Sequence, residues 1–266
     1  PFSDGTCAAT DEVLVTSEDC SVESYTLIPD QNFEQALIDL GHDDVIDGQV
    51  LTANISGVTN LDVYNRSIAD LTGIEDFAAL TLLGCASNQL ISLDVSQNTA
   101  LAMLICEDNQ LTNLDVSGCT SLTELICFNN QLTSLDLSGC TALTYLECTH
   151  NQLVSLDVNG CIGLTDLLCG ANQLNTLDLS QNIALEYLSC GVNQLTSLDL
   201  SQNSFITYIE CVQNSQLISL DLRNGNNTNL TTFGAINNPN LYCISVDDAT
   251  WSTTNWTVAN NNIDAH

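Results

Sequence analysis

The sequence predicts a right-handed β-solenoid, in which the chain winds into short coils whose strands stack side by side in parallel. The first observation is a period of 21 residues, marked by Cys85, Cys106, Cys127, Cys148, Cys169, Cys190 and Cys211. The second is that a leucine or isoleucine lies two residues before each of these cysteines, an alternation typical of a half-buried strand. The third is that a fixed short period indicates one structural unit stacked on itself.

Each unit reads Leu-x-x-Leu-x-Cys-x-x-Asn-Gln-Leu-x-x-Leu-Asp-(Val/Leu)-Ser-x-(Cys/Asn)-Thr-x. Units begin at Val58, Leu80, Leu101, Leu122, Leu143, Leu164, Leu185, Ile206 and, in degenerate form, Leu230. The second half of the unit is rich in Asp, Ser, Thr and Val, which are poor helix formers. We therefore predict short extended segments and turns on the outer side of each coil, and no helix within the units.

Three columns of the repeat are expected to face inward. The strand cysteines replace leucine as small apolar fillers, and parallel side-chain vectors give poor disulfide torsions, so we expect free thiols. A second cysteine column alternates with asparagine, and its members are Cys119, Cys140, Cys161, Asn98, Asn182 and Asn203. The asparagines that follow the strands can bond main-chain groups that no ladder satisfies; they are Asn88, Asn109, Asn130, Asn151, Asn172, Asn193 and Asn214.

The first eleven positions of the unit match the pattern L-x-x-L-x-L-x-x-(N/C)-x-L, with cysteine in the third apolar slot. The chain thus resembles leucine-rich-repeat proteins, and in particular the 21-residue IRREKO class of bacterial repeats. The segment IPDQNFEQALIDLG, with VLTANISGVTNLDV and LTGIEDF after it, is similar to the N-terminal cap of secreted repeat proteins of marine Bacteroidetes and, more loosely, to internalin caps. The resemblance implies an extracellular or cell-surface protein.

The chain divides into four predicted parts. Residues 1–22 form a polar tail in which we expect a disulfide between Cys7 and Cys20, consistent with an oxidising setting. Residues 23–57 form an N-terminal cap, residues 58–240 the solenoid, and residues 241–266 a C-terminal cap. The tail NPNLYCISVDDATWSTTNW resembles the cap of the same family, in which a second cysteine follows shortly. Because the sequence ends at His266 before such a residue, the resemblance implies that Cys243 has lost its partner.

A short amphipathic helix is predicted over residues 29–41 as a lid on the first coil. Asp30 is its expected N-cap and Gly41 its stop. Its apolar side is expected to comprise Phe33, Ala36, Leu37 and Leu40.

The charge balance excludes several partners. The chain carries 33 acidic residues and only two basic ones, Arg66 and Arg223, for a net charge of -31. Such a surface repels nucleic-acid phosphates and anionic membranes, and no apolar run is long enough to span a bilayer. Since few salt bridges are possible, we expect stability to rise with added salt.

The open face of the sheet is the predicted binding site, because its columns vary from unit to unit while the inward columns repeat. A contiguous apolar and aromatic patch with an acidic rim is typical of a partner-binding surface. We expect a concave face that binds an extracellular protein or glycan. The candidate residues are Tyr64, Met103, Ile105, Glu124, Ile126, Phe128, Tyr145, Glu147, His150, Leu168, Tyr187, Tyr208 and Glu210. Alternatively, these residues serve only strand propensity and cross-strand packing.

The alternative functions are a structural or calcium-binding acidic surface and, less favoured, ice binding. The outer Asp column, Asp94, Asp115, Asp136, Asp157, Asp178, Asp199 and Asp221, fits turn capping better than a calcium ladder. Asp43, Asp44 and Asp47 are weak metal candidates, because they lack the order of an EF-hand loop. The threonines Thr81, Thr123, Thr144, Thr165 and Thr207 form the broken row that suggests ice binding.

Catalysis has little support in the sequence. No combination of nucleophile, base and orienting group emerges from the spacing. His150 lies near Glu147 and Thr149 on the predicted face, where a lone histidine is more often a contact residue than a general base. We therefore expect a protein that is not an enzyme and needs no cofactor.

Overall fold

The computed structural model describes residues 23–256. The chain begins with β1 (Tyr25–Leu27), α1 (Gln31–Asp39), β2 (Gln49–Leu51) and α2 (Thr52–Ile55), and β1 pairs with β2 in antiparallel fashion. The solenoid strands follow in order: β3 (Asn60–Asp62), β4 (Leu82–Gly84), β5 (Ser92–Asp94), β6 (Met103–Ile105), β7 (Asn113–Asp115), β8 (Glu124–Ile126), β9 (Tyr145–Glu147), β10 (Asp166–Leu168), β11 (Tyr187–Ser189), β12 (Ser197–Asp199), β13 (Tyr208–Glu210), β14 (Ser219–Asp221), β15 (Thr232–Gly234) and β16 (Cys243–Ser245). The helix α3 (Ala249–Asn255) ends the described chain.

The first half of every unit contributes one strand to a nine-stranded parallel sheet. Its order follows the chain, from β3 through β4, β6, β8, β9, β10, β11 and β13 to β15. The register is one unit per coil, so that Leu104 pairs with Leu125 and Leu125 with Leu146. This arrangement confirms the predicted solenoid.

The second halves of the units form shorter pieces of sheet on the opposite side. Here β5 pairs with β7, and β12, β14 and β16 form a three-stranded sheet. Within residues 58–240, all of which the structure describes, the helical pieces are two 3-10 turns, at Ile74–Asp76 and Asn227–Asn229. The predicted absence of α-helix from the units is confirmed.

The cysteine columns lie in the core. All seven strand cysteines, together with Cys119, Cys140 and Cys161, have no exposed surface, and all are free thiols, as predicted. Burial raises the pKa of the Cys127 and Cys169 thiols to about 12, because desolvation penalises the thiolate. The columns therefore act as apolar filling.

The asparagine column joins each coil to the one before it. Asn109 donates to the carbonyl oxygens of Cys85 (3.0 Å) and Cys106 (3.2 Å), and its Oδ1 accepts from the amide of Leu90 (3.0 Å). Asn130 and Asn151 repeat the pattern one coil further on. The buried amides thus satisfy main-chain groups where the chain leaves the ladder.

The second inward column accommodates either asparagine or cysteine. Asn182 donates to the carbonyl oxygens of Val158 and Cys161, 3.0 and 2.8 Å away, but its buried Oδ1 has no protein partner. In the same position Cys119 directs its thiol at the carbonyl oxygen of Val95, 3.3 Å away. Cysteine satisfies fewer carbonyls but leaves no buried acceptor unpaired.

The predicted N-terminal helix is present. The Asp30 side chain caps it by accepting from the amides of Asn32 and Phe33, and Gly41 follows its end with a φ of 81°. Phe33 stacks on Phe77 of the first unit with ring centroids 6.3 Å apart. The prediction was wrong for Leu40, which is 43% exposed, because it is the C-cap residue at which the chain leaves the helix.

The last coil is covered by α3. Trp256 packs on Phe233, with ring centroids 4.5 Å apart, and Cys243 in β16 is an exposed free cysteine. The predicted disulfide between Cys7 and Cys20 lies outside the described residues.

Candidate functional site

The strand face is the outward side of the nine-stranded sheet, formed by the third, fifth, seventh and eighth positions of each unit. The alternation is as predicted: in β8, Leu125 is buried while Glu124 and Ile126 on either side of it are half-buried. The other predicted site residues on the face that are half-buried are Met103, Ile105, Phe128, Tyr145, Glu147, Leu168, Tyr187, Tyr208 and Glu210. Tyr64, which is 57% exposed, and His150 project further into solvent.

Apolar side chains form the middle of the strand face. Ile105 and Ile126 are register partners in β6 and β8, and Phe128 follows two residues after Ile126. Adjacent coils lie about 4.8 Å apart, so these side chains pack against one another and are only half-buried. A small apolar patch thus spans the coils of β6 and β8, and Glu147 follows it in the next coil.

Tyrosines and carboxylates occupy the C-terminal half of the strand face. The rings of Tyr187 and Tyr208 stack with centroids 4.0 Å apart and an angle of 11° between their planes. Tyr145 donates from its hydroxyl to Glu147 Oε2 (2.9 Å). Burial, and then that bond to the carboxylate, raise the pKa of Tyr145 to about 12. Tyr145 is therefore a neutral hydrogen-bond donor at physiological pH.

A hollow of about 420 Å³ lies at the N-terminal end of the strand face, between Tyr64, Ile105 and Glu107. Glu107 is half-buried, and its Oε2 is shielded from solvent with no protein partner in the described chain. Burial is the main cause of the raised pKa of Glu107. A donor or cation on a partner would relieve this unpaired oxygen.

The eighth column borders the face with a backbone conformation that L-residues rarely adopt. In every unit its residue has positive φ, from 50° to 61°, and none is glycine; the residues are Asn65, Ser87, Asp108, Asn129, His150, Ala171, Val192, Gln213 and Asn237. His150 is held there by its amide, which donates to Gly170 O (3.0 Å). This turn changes the direction of the chain after each strand and places His150 at the edge of the strand face.

The outer Asp column caps turns, as predicted. In all seven units the Asp Oδ1 accepts from the amide two residues later, for example from Ser117 to Asp115 and from Ser138 to Asp136, both 2.9 Å. The backbone and side chain of Ser117 lower the pKa of Asp115 through these bonds. Each carboxylate is thus bound by its own turn.

The weak metal candidates lie in the loop after α1. The buried Glu34 organises this loop, because its Oε1 accepts from the amides of Asp47, Gly48 and Gln49. Asp43 and Asp47 accept from the main chain of the same loop, and Asp44 is exposed. Among residues 23–256, no group of three or more His, Cys, Asp or Glu side chains is arranged to hold a metal ion.

The threonine row is tied to the protein's own main chain. Thr144 Oγ1 donates to Thr123 O (3.1 Å), whereas the single hydroxyl proton of Thr165 is shared between Thr144 O (3.0 Å) and Asp166 Oδ2 (2.7 Å). Thr81, Thr123 and Thr207 repeat the bond to the preceding coil. Hydrogen bonding between neighbouring coils therefore accounts for the threonine row, and no ligand such as ice is needed to explain it.

Comparisons with known proteins agree with this geometry. The family model for leucine-rich repeats (two copies) matches residues 120–167. Internalin J of Listeria monocytogenes is 42% identical over 74 residues, which are 27% of this chain and 8% of that protein. The solved functional domain of InlJ from Listeria monocytogenes, which includes a cysteine ladder, is similar with a TM-score of 0.60 and 32% identity; the match covers 84% of this chain and 62% of that one.

The chain has the leucine-rich-repeat fold and is similar to the internalins. A leucine-rich-repeat protein of Leptospira interrogans shares the fold with a TM-score of 0.61 and 23% identity, over 77% of this chain and 54% of that one. The chain therefore spans less than two thirds of each of these relatives. No helix in the described part of this leucine-rich-repeat protein has the length and apolar character needed to cross a membrane.

Sequence reasoning missed two features of the leucine-rich-repeat face. Asp166 was passed over in favour of aromatic neighbours, although register places it between Tyr145 and Tyr187. The left-handed conformation of the eighth column was also missed. The signal was present, because Asn, Asp and His, which fill five of the nine positions in the column, tolerate that conformation best after glycine.

Proposed function

We propose that this leucine-rich-repeat protein is a secreted or cell-surface binding module that is not an enzyme and recognises an extracellular protein or glycan through its strand face. The observation that carries the proposal is the contrast between columns. The inward leucines, cysteines and asparagines repeat in nearly every unit, whereas the strand face changes its chemistry from coil to coil. The fold requires only the repeated inward residues, so the variable residues of the strand face are available for recognition.

The chemistry of the strand face supports the same proposal. Ile105, Ile126, Phe128 and the stacked Tyr187 and Tyr208 give apolar and aromatic area of the kind that anchors interfaces. Carboxylates surround this area. The two arginines of the chain lie off the face, where Arg66 pairs with Asp39 and Arg223 with Asp221.

The test is a glycan and surface-protein binding array at physiological ionic strength, probed with the wild-type chain and with two triple variants. In the first, Phe128, Tyr145 and Tyr187 are changed to alanine. The control changes Ile162, Ile183 and Phe205 to alanine, because these apolar side chains are 57–65% exposed but lie off the strand face. We expect the first variant to lose a ligand that the control retains; equal binding by both variants would exclude the strand face.

A further inference from the structure

A notch crosses the strand face at the coil of β10. Register places Asp166 between Tyr145 and Tyr187, and Leu168 between Glu147 and Ser189. Asp166 is shorter than the tyrosines beside it. The floor of this notch is therefore Asp166, with Leu168 beside it in the same strand, and its walls are Tyr145 and Glu147 on one side and Tyr187 on the other.

The width of the notch suits one planar group. Its walls are two coils apart, roughly 9.6 Å at the usual strand spacing. A flat group midway between them would lie about 5 Å from each tyrosine, within the reach of roughly 6 Å over which a cation interacts with an aromatic ring.

The ring of Tyr187 is oriented to receive such a group. Tyr208 covers one of its faces in a nearly parallel stack with centroids 4.0 Å apart. Because the two residues are register partners in neighbouring strands, the stack runs from coil to coil and the rings stand on edge above the sheet. The free face of Tyr187 thus looks into the notch. A sugar would need a ring face turned towards solvent, which this arrangement does not present.

Two carboxylates in the notch are held in place before any ligand arrives. Asp166 Oδ2 accepts from Thr165 Oγ1 (2.7 Å), and Glu147 Oε2 accepts from the Tyr145 hydroxyl (2.9 Å). Each carboxylate has further acceptor capacity. Since both arginines of the chain lie elsewhere, complementarity calls for a cation from the partner.

We infer that the notch receives an arginine side chain of a partner polypeptide, an inference that rests on the proposed function of the strand face. The guanidinium group stacks on Tyr187 and donates to Asp166 and Glu147. Arginine is favoured over lysine because its donors lie in one plane, which matches both the slot and the carboxylates.

The experiment measures binding of a seven-residue glycine-serine peptide with one central arginine to the full chain, followed by NMR of the tyrosine ring protons. Otherwise identical peptides carry lysine or citrulline, a neutral analogue of arginine. Asp166→Asn removes one charge and Tyr187→Leu removes one ring. The matched controls, Asp157→Asn in the outer Asp column and Tyr25→Leu in β1, make the same changes off the strand face, where both side chains are exposed.

We expect millimolar affinity for the arginine peptide, weaker affinity for lysine and the weakest for citrulline. Asp166→Asn and Tyr187→Leu should each weaken arginine binding about fivefold or more, and the controls less than about twofold. The inference is overturned if no binding is detected, if the three peptides bind equally, or if the controls weaken binding as much as the notch variants.

Failure here is distinguishable from failure of the proposed function. A ligand from the array whose binding survives Asp166→Asn and is lost on replacing Phe128 by alanine leaves the strand face as the binding site but overturns the arginine notch. A neutral glycan captured through the same face has the same consequence.

Discussion

The side-chain amide of Asn130 donates to the main-chain carbonyl oxygen of Cys106, 3.0 Å away in the preceding coil. The same side chain accepts from the amide of Leu111 (2.9 Å) and donates to Cys127 O in its own coil (3.2 Å). One buried residue therefore satisfies three main-chain groups at the point where the strand ends and the ladder stops. The asparagine column is a second ladder, built from side chains, that continues the sheet around the turn.

Replacing Asn130 by alanine should destabilise the solenoid strongly. The amide of Leu111 and the carbonyl oxygen of Cys106 would lose these partners in a site with almost no water, and each such buried group costs about 1–3 kcal/mol. We expect the free energy of unfolding to fall by about 2–5 kcal/mol in urea denaturation. The control is Gln131→Ala in the same coil, because Gln131 is exposed and its amide bond to Leu111 O remains. A loss no larger than that of the control would contradict the role of the ladder.

Val192 is the one β-branched residue of the eighth column, with a φ of 55°. The left-handed conformation costs L-residues about 1–2 kcal/mol, and asparagine tolerates it best after glycine. We therefore expect Val192→Asn to stabilise the protein by about 0.5–1 kcal/mol, measured as a higher melting temperature.

The control for Val192 is Val154→Asn. Val154 is exposed to a similar degree, 54% against 48%, but is not among the positive-φ residues. A stabilisation shared by both variants would indicate loss of exposed apolar surface as the cause, and would contradict the backbone explanation.

Much of this architecture could be predicted because the inward columns repeat. A 21-residue period with leucine or isoleucine two residues before cysteine leaves one solution in which every cysteine of the strand column is buried, and Cys127 and Cys148 have no exposed surface. The turn role of the outer column followed from the preference of aspartate for bonding the amide two residues later, as Asp115 does with Ser117.

The features that escaped prediction depend on single neighbours. Leu40 continues the apolar side of α1 in sequence, but the helix ends before it. Asp166 acquires its environment from Tyr145 and Tyr187 in adjacent coils, and the stack of Tyr187 on Tyr208 depends on side-chain rotamers. Periodicity assigns a residue to a face; it does not assign the contacts made across that face.

The outer aspartates should stabilise the fold through hydrogen bonds in a pH-dependent way. The bonds from Ser117 lower the pKa of Asp115, so this group stabilises the folded state above the usual aspartate pKa of about 3.9, and its contribution is lost as the pH falls through the lowered value. At pH 7 we expect the stability order wild type, Asp115→Asn, Asp115→Ala, with the alanine variant about 0.5–1.5 kcal/mol less stable than wild type.

The asparagine variant is the matched control, because it keeps an oxygen acceptor without the charge. Wild type and Asp115→Asn should converge in melting temperature as the pH falls below about 3. An Asp115→Asn variant that is more stable than wild type at pH 7 would mean that repulsion along the Asp column outweighs the turn bonds.

The eleven described cysteines should differ sharply in reactivity. Ten are buried, and Cys243 is exposed; burial raises the pKa of Cys211 and Cys140 to about 12. Thiolate is the reactive form, and at pH 8 it is a negligible fraction of such thiols. We expect iodoacetamide to modify Cys243 within minutes and the other ten only after denaturation, as read by peptide mass spectrometry. Rapid modification of Cys127 in the folded protein would contradict its burial.

Salt should stabilise the chain, because a net charge of -31 with two basic residues leaves most carboxylates without a cationic partner. Raising NaCl from about 0.01 M to about 1 M shortens the screening length from roughly 30 Å to 3 Å. Repulsion between exposed carboxylates then weakens in the folded state, where they lie closest together. We expect the melting temperature to rise over this range and then level off.

Calcium chloride at equal ionic strength separates screening from binding, because a bound ion would add stabilisation that grows with its concentration. A melting temperature that stays flat in NaCl would contradict the view that unscreened repulsion limits the stability of this fold.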